Sequence, residues 1–281
     1  MFNVSFKLRK NLACSSLKGP SFTKAKLLKL EIDRTVVSIK LPGHNSSIAS
    51  RSAIHPSDEY FTEQMTFRTY SKDLVLNDNW RNFDLAYRSW KFNGDWFTGV
   101  LSELSVYIEL IKQNESDKEI SLFHPRAFEQ AVADYLTHQY SKRKINGTPS
   151  WIAPVNWKTI DIHSINAAYF EIKPNINANA EKEKIRVLML PINSFCILKV
   201  SFNQTRFLNK SEEELDKLVD PQPMNDLMWD IINSIQINLS KDATKQQIKA
   251  LEGLDNPLLV ESFPPLKWGA TDMDKLEETH K

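Results

Sequence analysis

A strict alternation of apolar and polar residues over 104–110 is the feature that most constrains the fold. The apolar positions are Leu104, Val106, Ile108 and Leu110. This period of two is typical of a β-strand with one face buried. The preceding run, 83–92, also alternates, and Asn93-Gly94 separates the two runs. Asn-Gly favours a tight turn whose two central residues take positive φ, so the segment predicts a β-hairpin.

The tip of this hairpin is rich in aromatic residues, and two interpretations compete for it. Residues 87–100 read YRSWKFNGDWFTGV. In the favoured interpretation the rings fill the core and make cross-strand pairs. In the other they form an exposed protein-binding surface, because Trp, Tyr and Arg dominate the anchors of interfaces. The candidate partner-binding residues are Tyr87, Arg88, Trp90, Asp95 and Trp96.

The remaining patterns give strands, one helix, more strands and then helices. Residues 26–41 indicate two strands joined at Asp33-Arg34, and 151–207 return to strand character. Helical spacing of apolar residues predicts helices over 125–142 and 224–235, and a short one after Ser240. This order lacks regular βαβ alternation. It therefore predicts an α+β fold with antiparallel sheets packed against a few helices.

The chain of 281 residues is long enough for one large domain or two modest ones. Residues 1–24 are basic and Ser-rich, which predicts a flexible arm. A polar, Pro/Gly-bearing stretch at 142–149 suggests a boundary there. We expect a β-rich portion with one helix over 25–147 and an α+β portion over 148–281, unless the two form one continuous domain.

Charge and composition exclude several classes of function. The net charge is +1, with 36 basic and 35 acidic residues, so we expect no nucleic-acid partner. No apolar run approaches the roughly 18 residues of a membrane span. The two cysteines and six histidines have no metal-ligand spacing. The charged residues before Leu12-Ala13-Cys14 argue against an export signal, so we expect a cytoplasmic protein, or a periplasmic one if the true start lies upstream.

Known catalytic motifs are missing from the sequence. It contains no G-x-S-x-G, no phosphate-binding glycine loop and no H-E-x-x-H. Two weak candidates are Asp134 with His138, four residues apart on the predicted helix, and Asp161 with His163, on the outer face of a predicted strand. Solvent-exposed pairs explain both more simply. We therefore predict no catalytic, cofactor-binding or metal-binding residues and no cofactor.

The last third of the chain resembles a known group of proteins. Residues 185–202, RVLMLPINSFCILKVSF preceded by Ile185, give two strands, and MNDLMWDIINSIQINL (224–239) gives a helix ending near Ser234-Ile235. This order is similar to the closing half of PsbP-like folds, and to bacterial immunity and chaperone proteins associated with type VI secretion effectors. The resemblance implies a cognate toxin or secreted effector as the partner.

The sequence thus favours a non-catalytic protein that binds another protein, as a bacterial toxin immunity or effector-handling protein. Two alternatives stay open. One is a hydrolase-type enzyme whose Asp, His and Glu residues come from distant positions. The other is a lipid- or sugar-binding module. A deep pocket with convergent carboxylates or histidines would favour the enzyme, and a broad exposed aromatic patch would favour the binding protein. The sequence leaves the oligomeric state open.

Overall fold

A computed structural model describes residues 16–47, 75–77, 80–95, 98–113, 120–145, 147–175, 184–208 and 212–268. It has antiparallel sheets and α-helices, so the predicted α+β class is confirmed. The PsbP-like character of the last third stays a prediction. No helix among the described residues is both long and apolar enough to cross a bilayer.

The strands and helices follow one another in the order that the sequence predicts, with additions. The strands are β1 (Lys26–Ile32), β2 (Thr35–Leu41), β3 (Val75–Asn77), β4 (Trp80–Asn93), β5 (Val100–Gln113), β6 (Lys144–Ile145), β7 (Thr148–Pro149), β8 (Trp151–Ile162), β9 (Ile165–Pro174), β10 (Ile185–Pro191), β11 (Cys196–Arg206) and β12 (Gln236–Asn238). The helices are α1 (Pro125–Tyr140), α2 (Glu212–Leu218), α3 (Gln222–Asn233) and α4 (Lys241–Leu251).

These strands form three sheets. The first has the order β1-β2-β12, the second β3-β4-β5-β11-β10-β9-β8, and the third pairs β6 with β7. The strands β5, β10 and β11 lie inside the second sheet, and β3 and β8 are its edges. The short strands β3, β6, β7 and the helix α2 are not evident from the sequence pattern.

The described residues divide into two compact units, each assembled from three stretches of chain. Unit 1 comprises 1–70, 84–109 and 200–241, and unit 2 comprises 71–83, 110–199 and 242–281. Their stretches alternate along the chain, whereas the predicted division separates 25–147 from 148–281. A compact unit is defined by its internal contacts, whereas a sequence domain is a continuous stretch of chain. The division into 25–147 and 148–281 therefore stays a prediction.

In unit 1 the helix α3 packs against β2, the middle strand of the β1-β2-β12 sheet. The apolar face of α3 is buried through Met224, Leu227, Met228, Ile231 and Ile232. These buried residues recur every three to four positions, as the sequence predicts for a helix with one apolar face. β12 pairs antiparallel with β2, with Ile237 opposite Val37. Residues 16–24, part of the predicted flexible arm, include a buried Leu17 and a Lys18 that pairs with Asn93.

In unit 2 the helix α1 covers a core of aromatic and aliphatic side chains from β8, β9 and β10. The core members include Phe128, Tyr135, Trp151, Trp157, Phe170, Val187 and Met189. Pro125 stands at the first helical position, where its missing N–H costs nothing. The predicted helix over 125–142 is confirmed with its end at Tyr140.

Two hairpins use two-residue turns in which both central residues have positive φ. Asp33 and Arg34 join β1 to β2 with φ of 49° and 64°, which confirms the predicted turn. His163 and Ser164 join β8 to β9 with φ of 52° and 64°. The prediction that His163 lies on a strand face is therefore wrong. These turns match the right-handed twist of the flanking strands.

The β4-β5 hairpin forms, but its connection differs from the predicted Asn-Gly turn. Residues 94–99 connect the strands, and Gly94 N–H donates to Gly99 O at 3.1 Å. Asn93 and Gly94 do not take positive φ, whereas Gly99 does (71°). Gly94 is required for space, because a Cβ there would collide with the side chains of Thr98 and Leu101.

Candidate interaction surfaces

The aromatic residues of the hairpin point mainly into unit 1. Tyr87, Arg88 and Trp90 are buried, with 5%, 4% and 0% of their surface exposed, while Asp95 is exposed. Trp96 lies outside the described residues. In this conformation these three side chains offer a partner at most 5% of their surface, as the favoured hairpin interpretation expects. A binding role for these five residues stays a prediction.

Trp90 holds the polar segment 42–47 against β4. Its indole Nε1–H donates to the carbonyl oxygens of Gly43 and Pro42 at 2.9 and 3.2 Å. Asn45 then pairs with the strand, donating its N–H to Ser89 O and accepting from Lys91 N–H, both at 2.8 Å. A buried indole N–H needs an acceptor, and here the acceptors are backbone atoms of a loop. Trp90 is therefore a structural residue.

Glu103 is a buried carboxylate that accepts hydrogen bonds from four donors. Ser47 N–H donates at 2.8 Å and Ser46 Oγ–H at 3.2 Å, and the hydroxyls of Ser47 and Ser89 also donate. Burial by itself raises the pKa of Glu103, but these hydrogen bonds more than offset it and hold the pKa below its usual value. The carboxylate is ionised near neutral pH, and its acceptor sites fix segment 42–47.

The same face of the hairpin carries a small aromatic cluster. The rings of Tyr87 and Tyr107 lie 4.7 Å apart, and those of Tyr87 and His44 lie 5.9 Å apart. His44 Nδ1 accepts from Ser89 N–H at 3.0 Å, which fixes this ring as well. The sequence predicts that only the apolar face of β5 is buried. In the structure its polar face is covered too, since Glu103 and Ser105 are buried.

The two weak Asp/His candidates make local contacts in the structure. His138 Nδ1 lies 2.8 Å from the backbone oxygen of Asp134, and Gln130 donates to the carboxylate of Asp134 at 2.8 Å. The carboxylate of Asp161 accepts from Ser164 N–H at 3.2 Å across the β8-β9 turn. Cys196 is buried, and Cys14 lies outside the described residues. Within the described part of the chain, no three His, Cys, Asp or Glu residues are placed to hold a metal ion.

A second buried charged cluster lies on β8, β9 and β10 in unit 2. Glu171 lies 3.7 Å from Arg186 and 3.3 Å from Lys173, and accepts from Asn156 at 3.0 Å. Burial raises the pKa of the neighbouring Tyr169 to about 12, with the charge of Arg186 opposing the shift. These contacts join three strands across the sheet, which is a structural role. The sequence shows strand alternation here but not this pairing.

A shallow groove opens on unit 2, and apolar residues supply most of its lining. The roughly 270 Å³ of space within it includes open solvent, and the enclosed part has room for about one water molecule. Its lining residues are Leu122, Phe123, Pro125, Phe128, Ser164, Ile165, Asn166, Pro191, Gln247, Leu251 and Leu259. Three of the most exposed large apolar side chains, Ile120, Ile248 and Leu258, each lie within two residues of a lining residue. We call the groove and these three residues the groove surface.

The helix α4 supplies one side of the groove surface. Gln246 accepts from Ser194 N–H at 2.9 Å and Gln247 donates to Ser164 O at 2.8 Å, which fixes the orientation of the helix. Its solvent side carries exposed lysines at 241, 245 and 249 around the 64%-exposed Ile248. Spacing of four residues places these lysines on one face. The sequence predicts the helix, and the orientation of Ile248 is a property of the packing.

No protein-family model matches this chain, and no curated protein matches its sequence. Among solved structures, it is similar to the apo structure of TplEi, an immunity protein of the type VI secretion system of Pseudomonas aeruginosa, with 9% identity and a TM-score of 0.25 over 85% of this chain and 83% of that one. The complex of TplEi with a peptide termed "L" aligns at 10% identity and a TM-score of 0.23 over the same shares. TplEi is an immunity protein of the kind that the sequence resembles. The resemblance is therefore confirmed, and it is weak. Scores this low carry no inference about function.

Proposed function

We propose that this chain is a non-catalytic protein that binds another protein through the groove surface of unit 2. The observation that carries the proposal is the exposure of Ile120, Ile248 and Leu258, each of which lies within two residues in sequence of a residue that lines the groove. Exposed apolar side chains gathered around a concave surface are typical of protein interaction sites. Burying them against a partner would contribute roughly 25 cal/mol per Å² of apolar area removed from water.

The lysines on the face of α4 that carries Ile248 favour an acidic partner segment at that position. Lys241, Lys245 and Lys249 are exposed there, while the exposed Asp242, Glu252 and Asp255 make the wider region mixed in charge. A partner that presents carboxylates around an apolar side chain would complement this pattern, with the charges governing association rate and specificity. The finer proposal is a toxin or secreted effector as that partner, which makes this chain an immunity or effector-handling protein. Its cytoplasmic location stays a prediction.

The buried carboxylates support a binding protein over the dispersed-site enzyme. Glu103 is held by serine donors, and Glu129 pairs with Arg126 and accepts from Val260 N–H at 2.6 Å. A general base must reach a substrate proton, and both of these groups are engaged in fixing segments of the chain. No described contact favours a lipid- or sugar-binding module.

The test compares two apolar surface residues with similar chemistry. Partners captured by the wild-type chain from its native cells are identified, purified and titrated calorimetrically against Ile248→Ser and Ile145→Ser. Ile145 is also an exposed isoleucine, but it lies in the short strand β6 and does not line the groove. We expect Ile248→Ser to weaken binding at least about tenfold and Ile145→Ser to leave it unchanged.

A third variant tests the hairpin tip. Asn93→Asp combined with Asp95→Lys changes the exposed chemistry there while keeping the rings. Loss of binding in this variant but not in Ile248→Ser would show that the interface lies at the hairpin tip and not at the groove surface. Protection of cells from the identified partner's toxicity, assayed with the same variants, tests the immunity role. A partner that is not toxic would refute that finer proposal.

A further inference from the structure

Polar contacts, rather than apolar burial, attach segment 42–47 to the edge of β4. Asn45 exchanges two backbone hydrogen bonds of 2.8 Å with the strand, one to Ser89 O and one from Lys91 N–H. A third bond runs from Ser89 N–H to the imidazole Nδ1 of His44 at 3.0 Å. Residues 43–47 are all exposed or half-buried. The attachment of this segment therefore depends on the state of the groups that make these bonds.

The bond between Ser89 and His44 requires the neutral imidazole. A backbone N–H can only donate, so Nδ1 of His44 accepts with its lone pair and the ring proton is on Nε2. A protonated imidazole has a hydrogen on both nitrogens and no lone pair to offer. On protonation, the new Nδ1–H would point at the N–H of Ser89, and the hydrogen bond would be replaced by a repulsive contact.

His138 on α1 has the opposite geometry. Its Nδ1 lies 2.8 Å from the backbone oxygen of Asp134, and a carbonyl oxygen can only accept. His138 therefore has its hydrogen on Nδ1, and it keeps this bond whether the ring is neutral or protonated. Of these two histidines, only His44 makes a contact that protonation breaks.

The charged and titratable groups near His44 leave it as the one that changes charge in weak acid. The described elements beside it supply Tyr87, Arg88 and Lys91 from β4, Glu103 and Tyr107 from β5, and Lys18, which pairs with Asn93. The negative charge of Glu103 favours a protonated imidazole, and the positive charges oppose it.

The carboxylate of Glu103 stays ionised in weak acid. Burial raises its pKa, but the hydrogen bonds from Ser46, Ser47 and Ser89 hold the pKa below its usual value of 4.5. Histidine side chains as a class change charge between about pH 5 and pH 8, whereas lysine, arginine and tyrosine do so at higher pH. The bonds from Ser46 and Ser47 to Glu103 therefore persist in the range in which imidazoles take up a proton.

We propose that the attachment of segment 42–47 to β4 is pH-sensitive, because it requires the neutral form of His44. A hydrogen bond to the neutral form is present above the pH range in which histidines take up a proton, and it is lost as the pH falls through that range. The neighbouring bonds of Asn45 then open more often, while Glu103 still holds Ser46 and Ser47. The result is local loosening within unit 1, and it is independent of the groove surface of unit 2.

The test measures amide hydrogen exchange of the full chain by NMR at about pH 8 and about pH 5, the two ends of the histidine range. Rates are corrected for the intrinsic pH dependence of exchange. We expect the amides of Ser89 and Asn45 to open roughly three- to tenfold more often at the lower pH, since one hydrogen bond is lost. The amide of Ile192, which donates to Cys196 O in unit 2, reports any change in stability elsewhere and should be unaffected.

Two variants assign the effect to one imidazole. His44→Gln supplies an uncharged side-chain oxygen that can accept from Ser89 at either pH, so it should abolish the pH dependence. His138→Gln is the matched control and should leave the pH dependence as in wild type. Persistence of the pH dependence in His44→Gln would overturn the inference, and so would its absence in wild type.

A measurement on wild type covers the case in which His44→Gln does not fold. Nitrogen NMR of the imidazoles distinguishes a ring nitrogen that carries a hydrogen from one that does not. We expect Nδ1 of His44 to lack a hydrogen at about pH 8 and to gain one over the range in which the Ser89 amide loses protection. A hydrogen on Nδ1 of His44 at about pH 8 would contradict the inference.

Discussion

The backbone N–H of Ser47 donates a hydrogen bond of 2.8 Å to the buried carboxylate of Glu103. The two residues are 56 positions apart, and this contact anchors a polar segment to the central strand β5. Hydrogen bonds to an ionised acceptor are among the stronger ones in proteins. The stability of unit 1 should therefore depend on the charge of Glu103.

Glu103→Gln should lower the free energy of unfolding by about 1–3 kcal/mol at neutral pH, because the amide nitrogen would face hydrogen-bond donors. Urea unfolding followed by fluorescence measures the loss. Glu109→Gln is the control, since Glu109 lies on the same strand, is partly exposed and accepts from Ser201 at 3.3 Å. Equal losses in the two variants would contradict the role of Glu103.

The same carboxylate predicts a pH dependence with a definite sign. Its pKa in the folded chain is below the ordinary value of 4.5, so its contribution is fully present above about pH 4.5. The contribution is lost as the pH falls through the lower folded pKa. Urea unfolding from pH 7 to pH 3 should show a steeper loss of stability in wild type than in Glu103→Gln. Parallel curves would argue against the shift.

Trp90→Phe should destabilise the chain by about 1–3 kcal/mol, because the carbonyls of the buried Pro42 and of Gly43 lose their donor. The amide of Asn45, which pairs with Ser89, should then exchange its hydrogen faster. Hydrogen exchange followed by mass spectrometry measures this. Asp95→Ala, at the exposed tip, should change stability by less than about 0.5 kcal/mol. A large effect of Asp95→Ala would show that the tip has a structural role.

Gly94→Ala should destabilise the hairpin by about 1–3 kcal/mol, since the added methyl group would collide with Thr98 and Leu101. Gly43→Ala is the matched control, because a Cβ at Gly43 meets nothing within 4 Å. Thermal unfolding followed by circular dichroism compares the two variants. The same melting temperature for both would show that residues 94–99 have room for a side chain.

Tyr169 should ionise at a pH of about 12, because burial disfavours its phenolate and raises its pKa. The neutral ring's contribution to stability is present below the ordinary pKa of 10.0 and is lost as the pH rises through about 12. A near-ultraviolet titration of wild type and Tyr169→Phe should differ only in this late step. A difference at lower pH would contradict the prediction.

Local patterns in the sequence determined most of the elements of this fold. The alternation at 104–110 gave β5, the Asp33-Arg34 dipeptide gave a tight hairpin, and helical spacing after Pro125 gave α1. Each of these depends on residues close together in the chain, whose backbone preferences act before any tertiary contact forms. The fold class follows from their order.

Tertiary structure decided which residues meet, and with that the candidate sites. The sequence shows Ser46 and Ser47 as loop residues and Glu103 as a polar position on a strand, and only the fold brings them together. Ile237 pairs with Val37, which is two hundred residues away in the sequence. Val260 N–H donates a hydrogen bond to Glu129 on α1. The residues next to a hydroxyl, a carboxylate or an amide in the sequence do not indicate which group it will hydrogen-bond. Its contribution depends on burial and on the groups that long-range packing places within hydrogen-bond distance.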